Sequence, residues 1–118
     1  TFLDIAGARQ PGDMQGLALT PLLRGKTPAN WRKTHYYHYY EAGGHGVPVH
    51  YGVTDGRHKL IRFPDDTLDA WEFFDLKKDP NEMQSRYEDP QYTRTIAALK
   101  EELNRLRKQY QVENFENP

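Results

Sequence analysis

The feature that most limits the fold of this chain is a stripe near its C-terminus. Tyr92, Ile96, Leu99, Leu103, Leu106 and Tyr110 recur at spacings of four, three, four, three and four residues. That period lines one side of an α-helix of about five turns. Asp89-Pro90 just upstream supplies an aspartate cap followed by proline, whose fixed φ suits a first helical turn. One stripe means one buried face. It spans fewer than about three heptads, too few to demand a coiled coil, so the layer it packs on has to come from elsewhere in the chain.

Four strand-like runs supply that layer. Residues 33–41 are rich in aromatic side chains and hold no Gly or Pro, which predicts a strand with Tyr37 and Tyr39 on one face and Tyr36, His38 and Tyr40 on the other. "HYGVT" and "RHKLIRF" flank Asp55-Gly56, a strong hairpin signal because both residues tolerate the positive φ of a type I′ turn. Arg57 and Lys59 then fall on alternate positions of the second run, on the expected wet face. "AWEFFDL" provides the fourth run. The predicted class is α+β: a small four-stranded antiparallel sheet with the long C-terminal helix packed on one face, preceded by short helices. On that helix Glu101 and Arg105 stand four apart, in the order that favours an ion pair.

The short helices come first. "TFLDIAGA" reads as a helix ending at Gly7, and Thr20 is placed to cap another with Pro21 at its first position, Leu22 and Leu23 facing inward, and Gly25 after its end. These segments expose apolar faces that a small sheet-and-helix unit covers poorly, which points to a larger partner.

Composition narrows the function. At 118 residues the chain suffices for one modest core. Sixteen Lys and Arg against 17 Asp and Glu leave no overall basic field for a nucleic acid or an anionic membrane. No apolar run reaches the length of a membrane span, and the start lacks both an initiator Met and a signal pattern, so the chain reads as a segment of a longer protein. There is no cysteine and only one serine, Ser85, outside any G-x-S-x-G setting, so self-contained nucleophilic catalysis is not expected.

The histidines pose the sharpest question. His35, His38, His45, His50 and His58 all fall within 24 residues. A metal site is disfavoured, because His35 and His38 point to opposite faces of a strand and no helical or alternating His pair is present. Asp65 and Asp66 sit in a turn after Pro64, where solvation accounts for them. A sugar surface fits better. Tyrosines offer flat apolar faces with a hydroxyl tip, and His and Glu offer hydrogen bonds at the rim. Most of the tyrosines are also explained as the alternation of a half-wet sheet; the histidines flanking the glycine loop "AGGHGVPV" go beyond it.

The order of motifs resembles a known family. "TFLDIAGA", "DMQGLALTPLLRGK", "HYYHYYE", "HYGVTDGRHKLIRF", "WEFFDLKKDPNEMQSRYEDPQY" and a final helix follow the C-terminal part of formylglycine-dependent sulfatases of the bacterial glycan-degrading type, similar to arylsulfatases and N-acetylglucosamine-6-sulfatases. The resemblance implies that residues 1–30 are the tail of a catalytic α/β domain with its connector. It implies that residues 31–118 are a C-terminal subdomain forming one wall of the substrate cleft. The family's formylglycine precursor motif, Cys/Ser-x-Pro-x-Arg, and its calcium ligands are absent from the chain; both groups are implied in the missing catalytic domain, and the chain alone is expected to be inactive, with no catalytic or metal-binding residue.

Implied partners are that catalytic domain and a sulfated carbohydrate of glycosaminoglycan or mucin type, with no nucleic acid and no membrane. The implied location is periplasmic or secreted. Substrate-side contact is expected from His38, Tyr40, Glu41, His45 and His50. Thr54 stands where relatives carry an arginine, which weakens any anion-binding role at that position. The alternative from another class is a free-standing carbohydrate-binding or interaction module.

Overall fold

The computed structural model describes residues 1–41, 45–65 and 68–112. Ala42–Gly44 of the glycine loop and Asp66 of the acidic turn lie outside the described residues. The chain divides into two units, Thr1–Arg32 and Lys33–Pro118.

The first unit holds two single-turn helices, α1 (Phe2–Ile5) and α2 (Thr20–Leu23). Gly7 and Gly25 end them at φ +66° and +70°, a region costly for residues with a Cβ. Side chains close the stretch between them: Leu19 N–H donates to Thr1 Oγ1 at 2.8 Å, and Gln10 Nε2 donates to the carbonyls of Met14 and Gly16 at 3.0 and 2.8 Å. Thr20 does not cap. Leu19 takes the cap position, Thr20 is the first helical residue, and no side chain caps the end. Leu23 does not face inward either: it is 74% exposed, with Phe2 at 89% and Ile5 at 66%. A helix this short cannot hide a full apolar stripe against its own unit.

The second unit is a four-stranded antiparallel meander, β1 (His35–Tyr39), β2 (His50–Thr54), β3 (His58–Asp65) and β4 (Leu68–Asp75), in that spatial order. A 3₁₀ turn over Pro90–Tyr92 leads into α3 (Thr93–Gln109). The Asp89 carboxylate accepts from Gln91 N–H at 3.0 Å, so the aspartate-proline start acts as read from sequence, one 3₁₀ turn before the α-helix.

Register fixes the faces. Tyr36 pairs with Val53, His38 with Tyr51, Val53 with Leu60 and Leu60 with Phe73; these share the face on which α3 packs. Against them lie Tyr92, Ile96, Leu99, Leu103 and Leu106 of the predicted stripe, all buried, while its last member, Tyr110, follows α3 and is only half-buried against the core. Each such side chain contributes about 1.5–3 kcal/mol on burial, which makes the helix a full half of the core. The outer edge of β4 is answered at Phe73, whose N–H donates to Ser85 Oγ at 3.2 Å and whose carbonyl accepts from Arg86 N–H at 2.7 Å.

Three local expectations need correction. The hairpin turn is centred on Gly56-Arg57, not Asp55-Gly56: Asp55 N–H donates to His58 O at 3.2 Å, and positive φ, +88°, falls on Gly56 alone. Asp55 flanks the turn instead, its carboxylate accepting from the N–H groups of Arg57 and His58 at 2.9 and 2.6 Å and meeting His58 Nδ1 at 3.0 Å. Burial alone would raise the Asp55 carboxyl, yet these bonds hold it below its ordinary value.

Arg57 is therefore no strand residue, and its guanidinium binds Asp75, while Lys59 pairs with Glu82 at 2.6 Å and is only 26% exposed. Arg57 thus leaves the strand but keeps half its side chain in water, and Lys59 lies on the face away from α3, partly covered by its bond to Glu82. On α3, Arg105 bonds Glu102 at 2.6 and 2.7 Å and Gln109 at 2.8 Å instead of Glu101, and Thr34 donates to the same Glu102 carboxylate. Glu102 lies nearer the sheet, and Thr34 holds it in place.

Candidate functional site

The predicted contact residues gather where β1 runs out and β2 begins, and the sheet sorts them onto two faces. Strand alternation puts His38 and Tyr40 on the α3 face. Their rings stack with centroids 3.7 Å apart, His38 leans on Tyr51 at 5.5 Å, and His38 Nδ1 hydrogen-bonds the Tyr36 hydroxyl at 2.9 Å. Arg107 of α3 stands over the Tyr51 ring at 4.5 Å and donates to its hydroxyl at 3.0 Å. Burial, the Arg107 charge and His50 together push the His38 imidazole below its ordinary 6.5, so at neutral pH it is an uncharged ring. Burial first, then Tyr40, pushes the Tyr36 phenol up to about 12, so it keeps its proton.

The opposite face carries His50. The register sets it beside Tyr39, with rings stacked at 5.5 Å, while Tyr37 and Phe63 approach at 6.1 and 5.5 Å. Its Nδ1 lies 2.9 Å from the Pro48 carbonyl. A carbonyl only accepts, so Nδ1 carries the proton and Nε2 is the atom left to meet a ligand. Tyr39 donates to Glu41 Oε2 at 3.1 Å, and the same oxygen is 3.9 Å from His45 Nε2. Both Glu41 and His45 are exposed. Loss of water and the bond to Glu41 push the Tyr39 phenol upward.

Thus Glu41, His45 and His50 form one contiguous rim through Tyr39, and His38 and Tyr40 form a separate file on the other side of the sheet. Sequence reading missed Tyr39 and Arg107. Sheet alternation is enough to explain Tyr39 in the sequence, and only the register sets its ring against His50. Arg107 follows Leu103 by four residues, a spacing that places it at the border of the buried stripe.

This surface can hydrogen-bond and stack. Its donors are protonated tyrosines and imidazole N–H groups, and its acceptors are Glu41 and imidazole nitrogen, a set suited to sugar hydroxyls. Ser85 Oγ is occupied as acceptor for the N–H groups of Phe73 and Tyr87, at 3.2 and 3.4 Å, and is not followed by the Pro and Arg that a formylglycine precursor needs. Among the described residues no three His, Asp or Glu side chains converge as a cation site. The sequence holds no formylglycine precursor motif, and the described residues offer no calcium ligand set. No helix among the described residues is long and apolar enough to cross a membrane.

Known proteins match this arrangement nearly end to end. Residues 1–109 match the family model for the C-terminal part of N-sulphoglucosamine sulphohydrolase. An N-acetylglucosamine-6-O-sulfatase of Bacteroides thetaiotaomicron is 46% identical over 113 residues, covering 93% of this chain and 20% of that protein. A Δ4,5-hexuronate-2-O-sulfatase of the same organism is 31% identical over 103 residues, covering 82% and 20%. Among solved structures, BT4656 in complex with its substrate D-glucosamine-2-N,6-O-disulfate superposes with a TM-score of 0.93 at 42% identity, over 99% of this chain and 24% of that one. The chain spans 20% of the length of each of these curated relatives. With the family model matched over residues 1–109, the chain belongs to the N-sulphoglucosamine sulphohydrolase C-terminal family.

Proposed function

We propose that this chain is the C-terminal domain of a sulfatase that hydrolyses sulfate esters of carbohydrates, of glycosaminoglycan or mucin type. Kinship to a carbohydrate 6-O-sulfatase along almost its whole length carries this reading. In it, the remainder of the longer protein supplies the formylglycine nucleophile and the calcium ion, and acts in the periplasm or outside the cell. The exposed Phe2, Ile5 and Leu23 of the first unit are the apolar surface that the catalytic part would cover.

The part played by this chain is recognition. His45, Glu41 and His50, joined through Tyr39, bind hydroxyls on one side of the sugar. His38 and Tyr40 add a stacked aromatic edge on the other side of the sheet. None of these groups attacks sulfur; they orient the ring so that the scissile ester meets the catalytic centre.

The test is kinetic. In the full-length enzyme, His45→Ala and His50→Ala lower kcat/KM for a sulfated oligosaccharide by about tenfold or more while leaving a small aryl sulfate within about twofold. Equal losses on both substrates remove the recognition role. No turnover of any sulfate ester by the intact enzyme removes the sulfatase reading itself.

A further inference from the structure

An open cavity of about 260 Å³ lies at the C-terminal turn of α3, lined by Asn104, Arg107, Lys108, Gln111 and Val112. Four of those side chains are hydrogen-bond donors, two of them cationic, and no carboxylate is among them. Its size falls just under the ~300–1,000 Å³ of small-molecule sites, enough for one charged group and part of the sugar that bears it.

Basic residues in a last helical turn ordinarily answer the partial negative charge and open carbonyls of the helix end. Here the backbone answers those carbonyls. Tyr110 N–H donates to Leu106 O at 2.9 Å, Val112 N–H to Arg107 O at 3.0 Å and Gln111 N–H to Lys108 O at 3.2 Å. Arg107 turns away from the helix end onto Tyr51, which pins one edge of its planar fork. The side chains of Lys108 and Asn104 have no hydrogen-bond or ion-pair partner among the described residues.

We propose that this cavity binds an anionic group, a sulfate ester or a uronate carboxylate, carried by an acidic glycan. Arg107 and Lys108 supply the charge, and Asn104 and Gln111 supply amide donors to flanking oxygens. The glycan as carrier of that group rests on the proposed function; the cavity's lining itself selects for the anion.

Calorimetric titration of the 118-residue chain with three disaccharides tests it. One is an N- and 6-O-sulfated glucosamine–uronate unit, one the same unit without sulfate, and one a neutral disaccharide. The sulfated probe binds, more weakly as salt rises, and Arg107→Ala/Lys108→Ala weakens it by about tenfold or more. If the desulfated uronate binds as well and shows the same loss, the carboxylate is the group recognised; if it does not bind, the sulfate is. Because Arg107 packs on Tyr51, Lys108→Ala and Asn104→Ala are run as single variants that leave that packing intact. Each weakens the sulfated probe by about threefold with an unchanged melting temperature. Equal binding of the neutral disaccharide, no binding of either acidic probe, or full affinity in the folded variants overturns the proposal.

Discussion

Arg57 grips the carboxylate of Asp75 through two bonds, Nε to Oδ1 at 3.2 Å and Nη2 to Oδ2 at 2.9 Å. Asp75 is buried at 2% exposure, whereas the Arg57 side chain keeps 52% of its surface in water. Tyr92 also donates to Oδ2 at 3.1 Å, Lys77 N–H to Oδ1 at 3.2 Å, and Lys78 Nζ to the Tyr92 hydroxyl at 2.8 Å. One carboxylate thereby joins the β2–β3 turn, the end of β4 and the entry to α3. This is the physical content of the Asp-Leu that follows the aromatic strand. The aspartate terminates the sheet and anchors the helix that covers it.

Replacing that carboxylate by an amide exposes its worth. Asp75→Asn leaves Arg57 and Tyr92 facing a neutral, partly donating group, and the melting temperature drops by about 10 °C. The pH dependence follows from the direction of the shift. Arg57 bonding holds the folded Asp75 carboxyl well below the usual carboxylate range, so the unfolded chain takes up this proton first as pH falls through about 4. The stability it contributes is complete above that value and is lost as pH drops towards the folded value. Melting curves from about pH 7 to 2 show a shallower acid decline in Asp75→Asn than in the parent. An equal decline places the acid sensitivity elsewhere.

Core and surface leucines separate cleanly. Leu103, 1% exposed, sits where α3 meets the sheet, so Leu103→Ala costs about 2–5 kcal/mol in urea unfolding. Leu23, 74% exposed, has no such packing, and Leu23→Ala stays within about 0.5 kcal/mol in the same assay.

Long-period signals were legible in the sequence. The stripe from Tyr92 to Leu106 and the alternation of β1 each repeat a single physical requirement several times, so one side chain's exception does not hide them. What was not legible depends on one pairing at a time. Asp55-Gly56 satisfies the composition of a type I′ turn, yet Asp55 does better by accepting three contacts from Arg57 and His58 than by entering the positive-φ region. Arg57, freed by the one-residue shift of the turn, then reaches Asp75. The candidate site divides in the same way. The residue types at the β1–β2 junction were readable, but their split onto two faces, and the linking role of Tyr39, needed the register that pairs Tyr39 with His50.

Close packing at β2 makes Gly52 irreplaceable. A Cβ built there falls 2.5 Å from the Tyr37 hydroxyl oxygen, 2.7 Å from its Cζ and against the carbonyl oxygen of Leu60. Gly52→Ala therefore destabilises the chain by about 1–3 kcal/mol. Truncating Tyr37 to Ala in that background relieves the ring clash but not the one with the Leu60 backbone. The double variant melts below Tyr37→Ala alone; equal melting temperatures would show that the strand shifts freely.

His38 reports the field of α3 on the sheet. Burial is the first cause of its lowered pKa, the Arg107 charge the second and His50 the third. Arg107→Met keeps much of the packing on Tyr51 while removing the charge, so the His38 titration followed by NMR moves upward but stays below the ordinary 6.5. Stability carries the same sign. The unfolded chain protonates this imidazole near 6.5 while the fold resists, so stability falls as pH drops from that value to the folded one. In Arg107→Met that window narrows, and its melting temperature is less sensitive to pH across it than that of the parent chain. A His38 titration that does not move when the charge is removed would assign the whole shift to burial and detach α3 from the electrostatics of the site.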